Sequence, residues 1–459
     1  MEKASKFLEI VDSVVWGPFM LALILGTGIY LMFRMRFLPL RNLGYALGCL
    51  FQGEAQAGKT GEISALSSLT TELAATIGTG NIVGVATAMV LGGPGALVWM
   101  LLSALFGFST KFAESMLSVK YRTRNTAGAV VGGPMYTLRD AFPNKKAGRL
   151  LGVAFAFFAV FASFGMGNMA QSNSITSALW ESFAIPKETS GLVISILVIL
   201  VILGGIRSIS KISLYLVPGM ALFYALGSLA VIAVNIDRLP QGICQIITMA
   251  FSPRAAAGGV GGAVMASMQD ALRMGVSRGV FSNEAGLGAG GISAAAANTA
   301  SPVRQGYISM TGVFFDTIVI CTLTGLAISA SGVLGMSDET GALLNGPALT
   351  IAAFSTVFGD FGGCFIGAGI ALFAFATIIA WEYQGERAFE FLVRSPRYCI
   401  CYRFVYTLVT FAGAVCALEM VWNFSDIMNA LMAVPNLICV LVMSGEVCRD
   451  MKEYEKNKS

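Results

Sequence analysis

The chain has 459 residues, of which 56% are hydrophobic and only 12% are charged, and its formal net charge is +4. Soluble proteins carry about 25% charged residues, so this composition excludes a water-soluble globular protein and indicates one embedded in lipid. We attribute the small positive charge to membrane orientation and contact with membrane lipid, and we predict no nucleic-acid partner.

Long apolar stretches without charges recur along the whole chain. A spanning helix needs roughly 20 mostly apolar residues, whereas barrel strands alternate over about ten. Because these stretches are continuous, the sequence predicts an all-α membrane protein with about 11 transmembrane helices. The predicted spans cover residues 14–35, 64–91, 93–119, 149–180, 189–207, 211–235, 257–283, 304–332, 362–392, 401–419 and 425–446.

The first apolar stretch and the loop charges predict how the chain sits in the membrane. The stretch is longer than the roughly 7–15 apolar residues of a signal peptide, so we expect a retained helix. Most of the 30 Lys and Arg residues fall in loops on one side, and such loops face the cytoplasm. We therefore predict a multi-pass protein of the plasma (inner) membrane, with the N-terminus outside and the C-terminus inside.

Two predicted spans contain glycine-rich interruptions. The second carries Gly78-Thr79-Gly80-Asn81 near its middle, and the seventh begins with the glycine-rich stretch Gly258–Gly262. Interrupted helices at matching positions of two halves are typical of inverted-repeat transporters. The predicted organisation is a single transporter domain over 1–459, with an extra helix at 14–35, a first repeat at 64–235, an inverted second repeat at 257–446 and a tail at 447–459.

An interrupted helix in lipid needs something to replace its lost hydrogen bonds. Each bare N–H or C=O group costs several kcal/mol, roughly, when it is buried without a partner. The half-helix starting near Gly80 can offer N–H groups to a carboxylate, and the half ending near Ile77 can offer carbonyls to a cation. The alternative is a glycine motif that only allows close helix packing.

Several longer motifs carry a resemblance to a known family. The chain resembles the alanine or glycine:cation symporter family, of the amino acid–polyamine–organocation type, over roughly residues 14–446. The resemblance implies the leucine-transporter-type 5+5 inverted-repeat fold with one extra N-terminal helix and two discontinuous helices. The motifs are Ala74–Ala88, Gly92–Gly95, Lys111–Glu114, Arg278–Gly288 and Pro302–Gly306.

The resemblance also implies a function. It predicts symport of a small neutral amino acid, alanine or glycine, by alternating access, with sodium as the coupling ion. Some relatives prefer glutamine, so a carrier of glutamine or another neutral amino acid, coupled to protons, is the alternative. We expect the cation gradient rather than ATP to drive transport.

Residue roles follow from the resemblance position by position. The family usually has a Ser-Thr pair where this chain has Ala376-Thr377, so one expected hydroxyl ligand of the cation is missing. Gly78 and Gly80 would hold the substrate carboxylate through their N–H groups, and Trp381 would form a wall of the pocket. The implied substrate residues are Thr76, Gly78, Thr79, Gly80, Asn81, Gln171 and Trp381, and the implied sodium ligands are Ala74, Ile77 and Thr377.

Charged residues inside spans are costly and are usually functional or paired. Glu72 precedes the first interruption and is predicted to be a gate, a proton acceptor or an amine partner, with an ion pair as the alternative. Asp316 is predicted to have a structural partner or to line the ion path, and it is, like Glu72, a possible gate or proton site. The pairs Lys111–Glu114 and Asp270–Arg273 are three residues apart and can bridge on one helix face.

Two rival functions fit the sequence less well than transport. An enzyme would need acid–base or metal-binding groups, but the chain has no histidine and its nine cysteines lie mostly in apolar stretches. A channel or receptor would not need two interrupted helices in matching positions. We therefore predict a transporter without enzymatic activity, without an organic cofactor and without a required oligomer.

Overall fold

The computed structural model describes residues 2–52, 61–252, 255–259, 262–416 and 418–458, and most of these residues are helical. The first predicted span is shorter than expected, because the chain turns at Trp16-Gly17 and a new helix starts at Pro18. Proline suits the first position of a helix, because the N–H group that it lacks would have no hydrogen-bond acceptor within the helix. The N-terminal helices are α1 (Glu2–Val15), α2 (Pro18–Arg34), α3 (Leu38–Arg41) and α4 (Leu43–Phe51).

The second predicted span is a broken helix, as the sequence predicted. Helix α5 (Ala65–Thr76) is capped at its N-terminus by Ser64, whose side-chain oxygen accepts a hydrogen bond from the N–H of Ser67 at 3.0 Å. The chain resumes as a π-helical turn at Gly80–Gly84 followed by α6 (Val85–Leu91), and the two halves meet at 51°. The unwound residues between them are buried.

The third to sixth predicted spans each correspond to observed helices, whereas the helices at Pro134–Ala141 and Leu239–Phe251 were not predicted. A π-helical turn at Gly165–Met169 divides the fourth span, and β1 and β2 pair antiparallel between the third span and a short helix that the sequence did not predict. The elements are α7 (Ala96–Lys120), β1 (Thr123–Arg124), β2 (Val130–Val131), α8 (Pro134–Ala141), α9 (Lys145–Phe164), α10 (Ala170–Phe183), α11 (Lys187–Ile202), α12 (Gly205–Val234) and α13 (Leu239–Phe251).

The seventh predicted span was wrong in its first part. Residues 255–259 (β3, Ala255–Gly259) and 262–266 (β4, Gly262–Ala266) pair as antiparallel strands, and Val260 and Gly261 lie outside the described residues. The predicted interruption at Gly258–Gly262 is therefore not a break within a helix. Glycine loses more backbone freedom in a helix than other residues, so a glycine-rich stretch is a poor helix start.

The second broken helix lies further along the chain. Helix α14 (Met268–Asn283) starts at a capping box, in which the side chains of Ser267 and Asp270 each accept a hydrogen bond from the other residue's backbone N–H. The Asp270 carboxylate therefore caps the helix and does not form the predicted pair with Arg273. The chain unwinds after Asn283 and resumes as α15 (Ala289–Ala295). Glu284, Gly286 and Gly288 in the break have positive φ angles of 56°, 96° and 85°, a region that favours glycine.

The last four predicted spans correspond to observed helices, whereas the helix at Gly346–Phe358 was not predicted. The last helix continues through residues 447–458, which were predicted to form a cytoplasmic tail, and side chains anchor it to the rest of the bundle. Lys120 pairs with Glu446 at 2.5 Å, and Tyr45 bonds Tyr454 at 2.7 Å. The elements are α16 (Pro302–Val313), a π-helical segment (Phe314–Cys321), α17 (Thr322–Ser331), α18 (Gly346–Phe358), α19 (Phe361–Val393), a 3-10 turn (Pro396–Tyr398), α20 (Cys399–Val415) and α21 (Leu418–Lys458).

The outer surface of the bundle is apolar. Among the described residues, seven helical stretches are long and apolar enough to cross a membrane, or eight if the bent pair α5 and α6 counts as one span. Large apolar side chains such as Leu200, Leu222 and Leu408 are exposed on the outer helices. Soluble monomers rarely expose apolar patches of that kind, so the fold is that of a multi-pass membrane protein.

Candidate substrate and cation site

The break in the first discontinuous helix is held by side chains of other segments. The Gly78 N–H donates to Asn81 Oδ1 at 2.9 Å, and the Thr79 N–H donates to Gln171 Oε1 at 3.4 Å. Both N–H groups belong to the start of the second half-helix, where anions are favoured. Two amide oxygens therefore occupy the N–H groups that a carboxylate could take.

A second group of oxygens meets the end of the first half-helix. The Thr377 hydroxyl lies 3.1 Å from the Ala74 carbonyl oxygen and 3.1 Å from the Phe373 carbonyl oxygen. A Cβ atom built on Gly78 would lie 2.5 Å from Thr377 Oγ1 and 3.5 Å from Gln171 Oε1. The unwound turn therefore brings together Ala74, Gly78, Gln171 and Thr377, four residues to which the resemblance assigns substrate or sodium roles.

Two other predicted residues have different surroundings. A Cβ atom on Gly80 would lie 3.2 Å from the Ser282 Cα atom and 3.3 Å from the Phe281 ring. Gly80 thus allows the two broken helices to approach each other, rather than facing Gln171. The Thr76 hydroxyl bonds the Leu73 carbonyl of its own helix at 3.4 Å.

The π-helical turn at Gly165–Met169 and Trp381 form the opposite side of the site. Gln171 donates through Nε2 to the Met166 carbonyl at 3.1 Å, which fixes its side chain against this turn. Trp381 is fully buried, and its Cβ and Cγ atoms pack against the Cα of Gly167. Its indole N–H donates to Glu284 Oε1 at 2.7 Å, so Trp381 connects this side to the second broken helix.

Asp316 is a buried acceptor at the junction of the two broken helices. It accepts hydrogen bonds from Asn81 Nδ2 at 2.7 Å, Ser282 Oγ at 2.9 Å and Thr317 Oγ1 at 2.7 Å. Within the described part of the chain no Lys or Arg nitrogen lies within 4.0 Å of it. The partners of Asp316 in this structure are therefore neutral hydrogen-bond donors, and its role stays a prediction. Sequence reasoning had not singled out Ser282.

Glu72 lies beside a buried charged cluster. Its Oε1 accepts from Ser309 Oγ at 2.8 Å, and its other oxygen lies near Gly290. The predicted pair of Lys111 and Glu114 forms, with Nζ and Oε1 3.8 Å apart. No Lys or Arg nitrogen of the described residues lies within 4.0 Å of the Glu72 carboxylate, which leaves its predicted gating or proton role open.

Glu114 connects this cluster to the second break. Its Oε2 accepts from the Gly286 N–H at 3.2 Å and from Asn436 Nδ2 at 2.9 Å. A buried carboxylate of α7 therefore accepts a hydrogen bond from the unwound backbone of the second broken helix. The pair of Lys111 and Glu114 was predicted from their spacing alone, and the structure adds the contact of Glu114 with the second break.

One pattern in the sequence concerns whether ATP could drive transport. Residues 53–60 match the phosphate-binding loop pattern G-x-x-x-x-G-K-[ST], and they read Gly53-Glu54-Ala55-Gln56-Ala57-Gly58-Lys59-Thr60. These residues lie outside the described part of the chain. A phosphate-binding loop follows a β-strand, but the element before this pattern is helix α4. The match therefore does not support ATP-driven transport.

The site and the fold together define a class of protein. A buried, unwound helix in contact with a second broken helix, inside an apolar bundle, is the arrangement of secondary transporters. The crystal structure of MhsT in complex with L-phenylalanine has the same fold, with a TM-score of 0.57, 14% identity and coverage of 84% of this chain and 90% of that one. The fold class is therefore that of a multi-pass membrane protein with discontinuous helices.

Comparison with known sequences places the chain more narrowly. The sequence profile of the sodium:alanine symporter family matches residues 1–459. The chain is 46% identical over 449 residues to the sodium/alanine symporter AgcS of Methanococcus maripaludis, covering 97% of this chain and 96% of that one. It is 36% identical over 450 residues to the probable sodium/glutamine symporter GlnT of Bacillus subtilis, covering 98% and 90%.

The chain therefore belongs to the sodium:alanine symporter family. It is a cation-coupled amino-acid symporter and not an enzyme. The resemblance seen in the sequence motifs is confirmed.

Proposed function

We propose that this protein carries a small neutral amino acid, alanine or glycine, together with sodium by alternating access. The observation that supports this most directly is the convergence at Gly78. The hydroxyl of Thr377, the carbonyl of Ala74 and the amide of Gln171 meet around one unwound turn. Oxygen ligands for a cation and N–H groups for a carboxylate are thus adjacent.

The proposed sodium site lies at the end of α5. The Ala74 carbonyl and the Thr377 hydroxyl supply two oxygens, and Ile77 at the end of the half-helix supplies a third from its carbonyl. The C-terminal end of a helix carries partial negative charge, which favours a cation there. Ala376 contributes no hydroxyl, so we propose that this cation has fewer side-chain ligands than in relatives with a Ser-Thr pair.

The proposed substrate site lies at the start of the second half-helix. A substrate carboxylate would take the N–H groups of Gly78 and Thr79, which now donate to the side chains of Asn81 and Gln171. The Thr79 hydroxyl is fully buried and has no hydrogen-bond partner in the described part of the chain. A bound amino acid would provide that partner. The nearness of Thr377 and Gln171 to Gly78 favours a substrate with a short side chain.

We further propose the 5+5 inverted repeat with 11 spans. Both halves run in the same order: a broken helix, a long helix, a short helix, then three further helices. Two consecutive copies with an odd number of spans have opposite orientations in the membrane. From the loop charges we propose that the N-terminus lies outside the plasma (inner) membrane. The second half starts at α14, near residue 268, rather than at 257.

Glutamine is the second candidate substrate, because the relative GlnT is described as a probable sodium/glutamine symporter. Uptake into proteoliposomes, measured for a panel of amino acids under a sodium-only or a proton-only gradient, separates the candidates. We expect alanine and glycine to be accumulated under the sodium gradient and glutamine to be transported poorly. Accumulation of glutamine above alanine, or accumulation with the proton gradient alone, would overturn the proposal.

A further inference from the structure

A basic pocket lies away from the transport site, on the outer surface of the bundle. It has a volume of about 590 Å³ and opens where α8, the start of α9 and the end of α19 meet. Its lining consists of three arginines and three apolar side chains: Arg139, Arg149, Val153, Phe391, Leu392 and Arg394.

Two of the three guanidinium groups have no acidic partner among the described residues. Arg139 pairs with Asp140 at 2.6 Å and lies over the Tyr136 ring at 5.0 Å. Arg149 and Arg394 are exposed, and no carboxylate of the described residues lies within 4.0 Å of either. The pocket therefore has an uncompensated positive charge, which a phosphate group can neutralise.

An apolar strip continues from the pocket along α9. Val153, Phe157 and Phe161 are spaced four residues apart and are 41%, 49% and 36% exposed. Residues four apart lie on one helix face, and the strip extends about 12 Å from Val153 to Phe161 at about 1.5 Å per residue. The cationic groups thus lie at one end of an outward-facing apolar surface.

We propose that this pocket binds the headgroup of an anionic phospholipid. Its phosphate lies between Arg149 and Arg394, and one acyl chain follows the strip of Val153, Phe157 and Phe161. Guanidinium groups bind phosphate in bidentate geometry, and basic pockets between spanning helices bind anionic headgroups. A free phosphate ion would use the arginines but not the apolar strip, so the strip favours a lipid.

The location is consistent with this ligand. Arg149 and Arg394 lie next to loops that the charge pattern predicts to be cytoplasmic, where anionic lipids attract basic groups. The proposal is independent of which amino acid the protein transports, because none of the pocket residues contributes to the proposed substrate or sodium site.

The test uses the full-length protein purified in detergent. Thermal unfolding is followed while phosphatidylglycerol, phosphatidylethanolamine or inorganic phosphate is added, and bound lipid is counted by native mass spectrometry. The test variant is Arg149→Gln with Arg394→Gln. The control variant removes two exposed charges outside the pocket, by Arg36→Gln with Lys211→Gln.

We expect phosphatidylglycerol to stabilise the wild type and the control at similar concentrations. The test variant should need about 30-fold more lipid, because each basic group near a membrane surface contributes about 1 kcal/mol. Equal stabilisation of the test variant and the wild type would overturn the proposal, as would equal effects of phosphatidylethanolamine. Stabilisation by inorganic phosphate to the same extent would show an ion site and overturn the lipid assignment. If the double variant does not fold, Arg149→Gln alone is measured against Lys211→Gln by the same criteria.

Discussion

The hydroxyl oxygen of Thr377 lies 3.1 Å from the carbonyl oxygen of Ala74, and both residues are almost completely buried. This contact joins the middle of α19 to the last turn of α5, immediately before the chain unwinds. A cation bound at the unwound turn would contact both helices at once. Ion binding would therefore bias the relative position of two separate parts of the bundle.

Removal of the Thr377 hydroxyl should weaken the sodium dependence of transport. We expect Thr377→Ala to raise the sodium concentration for half-maximal alanine uptake by about tenfold, since a lost ligand to a charged group costs about 1.5–3 kcal/mol. Alanine affinity in saturating sodium should change less. Thr377→Ser keeps the hydroxyl and serves as the control. An unchanged sodium dependence in Thr377→Ala would count against this role.

A methyl group at Gly78 should block the site. In Gly78→Ala the added carbon would lie 2.5 Å from Thr377 Oγ1, too close for a normal contact. We expect alanine uptake to fall at least about tenfold, which corresponds to a cost within the roughly 1–3 kcal/mol of overpacking. Gly84→Ala is the matched control, because a Cβ atom there meets nothing within 4 Å. Normal uptake by Gly78→Ala would show that this turn is not where the substrate binds.

The amide of Gln171 should matter for substrate more than for sodium. Gln171→Leu removes the side-chain amide that we propose contacts the bound substrate once its oxygen has released the Thr79 N–H, and it leaves an apolar group beside the unwound turn. We expect the alanine concentration for half-maximal uptake to rise about tenfold, because one polar contact contributes about 1 kcal/mol or slightly more. The sodium dependence, measured at saturating alanine, should stay close to wild type. A selective loss of sodium affinity would instead assign Gln171 to the ion.

The contact between Gly167 and Trp381 should be sensitive to volume. A Cβ atom on Gly167 would collide with the Cβ and Cγ atoms of Trp381. We expect Gly167→Ala to destabilise the protein by about 1–3 kcal/mol, measured by thermal unfolding in detergent. Gly219→Ala has open space around it and should not lower the unfolding temperature. If the two variants unfold at the same temperature, Trp381 does not lie against the π-helical turn.

The first broken helix could be predicted from sequence, but the second could not be placed correctly. Gly78 and Gly80 lie in the middle of a long apolar stretch, where closely spaced glycines favour an unwound turn within a span. The second helix break was predicted at Gly258–Gly262, although glycine suits a β-hairpin as well as an unwound helix. The actual break contains Gly286 and Gly288, whose positive φ angles became visible only in the structure.

The sequence indicated which residues lie near one another at the first break, but not their hydrogen-bond partners. Gly78, Gln171 and Thr377 were expected to meet and do so. Gly80 was expected to hold the substrate carboxylate through its N–H group, which stays a prediction, and the structure adds that Gly80 packs against α14. The acceptor role of Asp316 toward Asn81 joins residues 235 positions apart in the chain. A one-dimensional pattern does not specify which distant side chains come into hydrogen-bonding distance.

The proposed symport is tested most directly by following both solutes in one sample. Proteoliposomes containing the wild-type protein receive labelled alanine and labelled sodium, and entry of each is measured with and without the other. We predict that alanine stimulates sodium entry, that sodium stimulates alanine entry, and that the ratio of the two fluxes is constant. Alanine entry that continues without sodium, or sodium entry that ignores alanine, would contradict coupled transport at the broken helix.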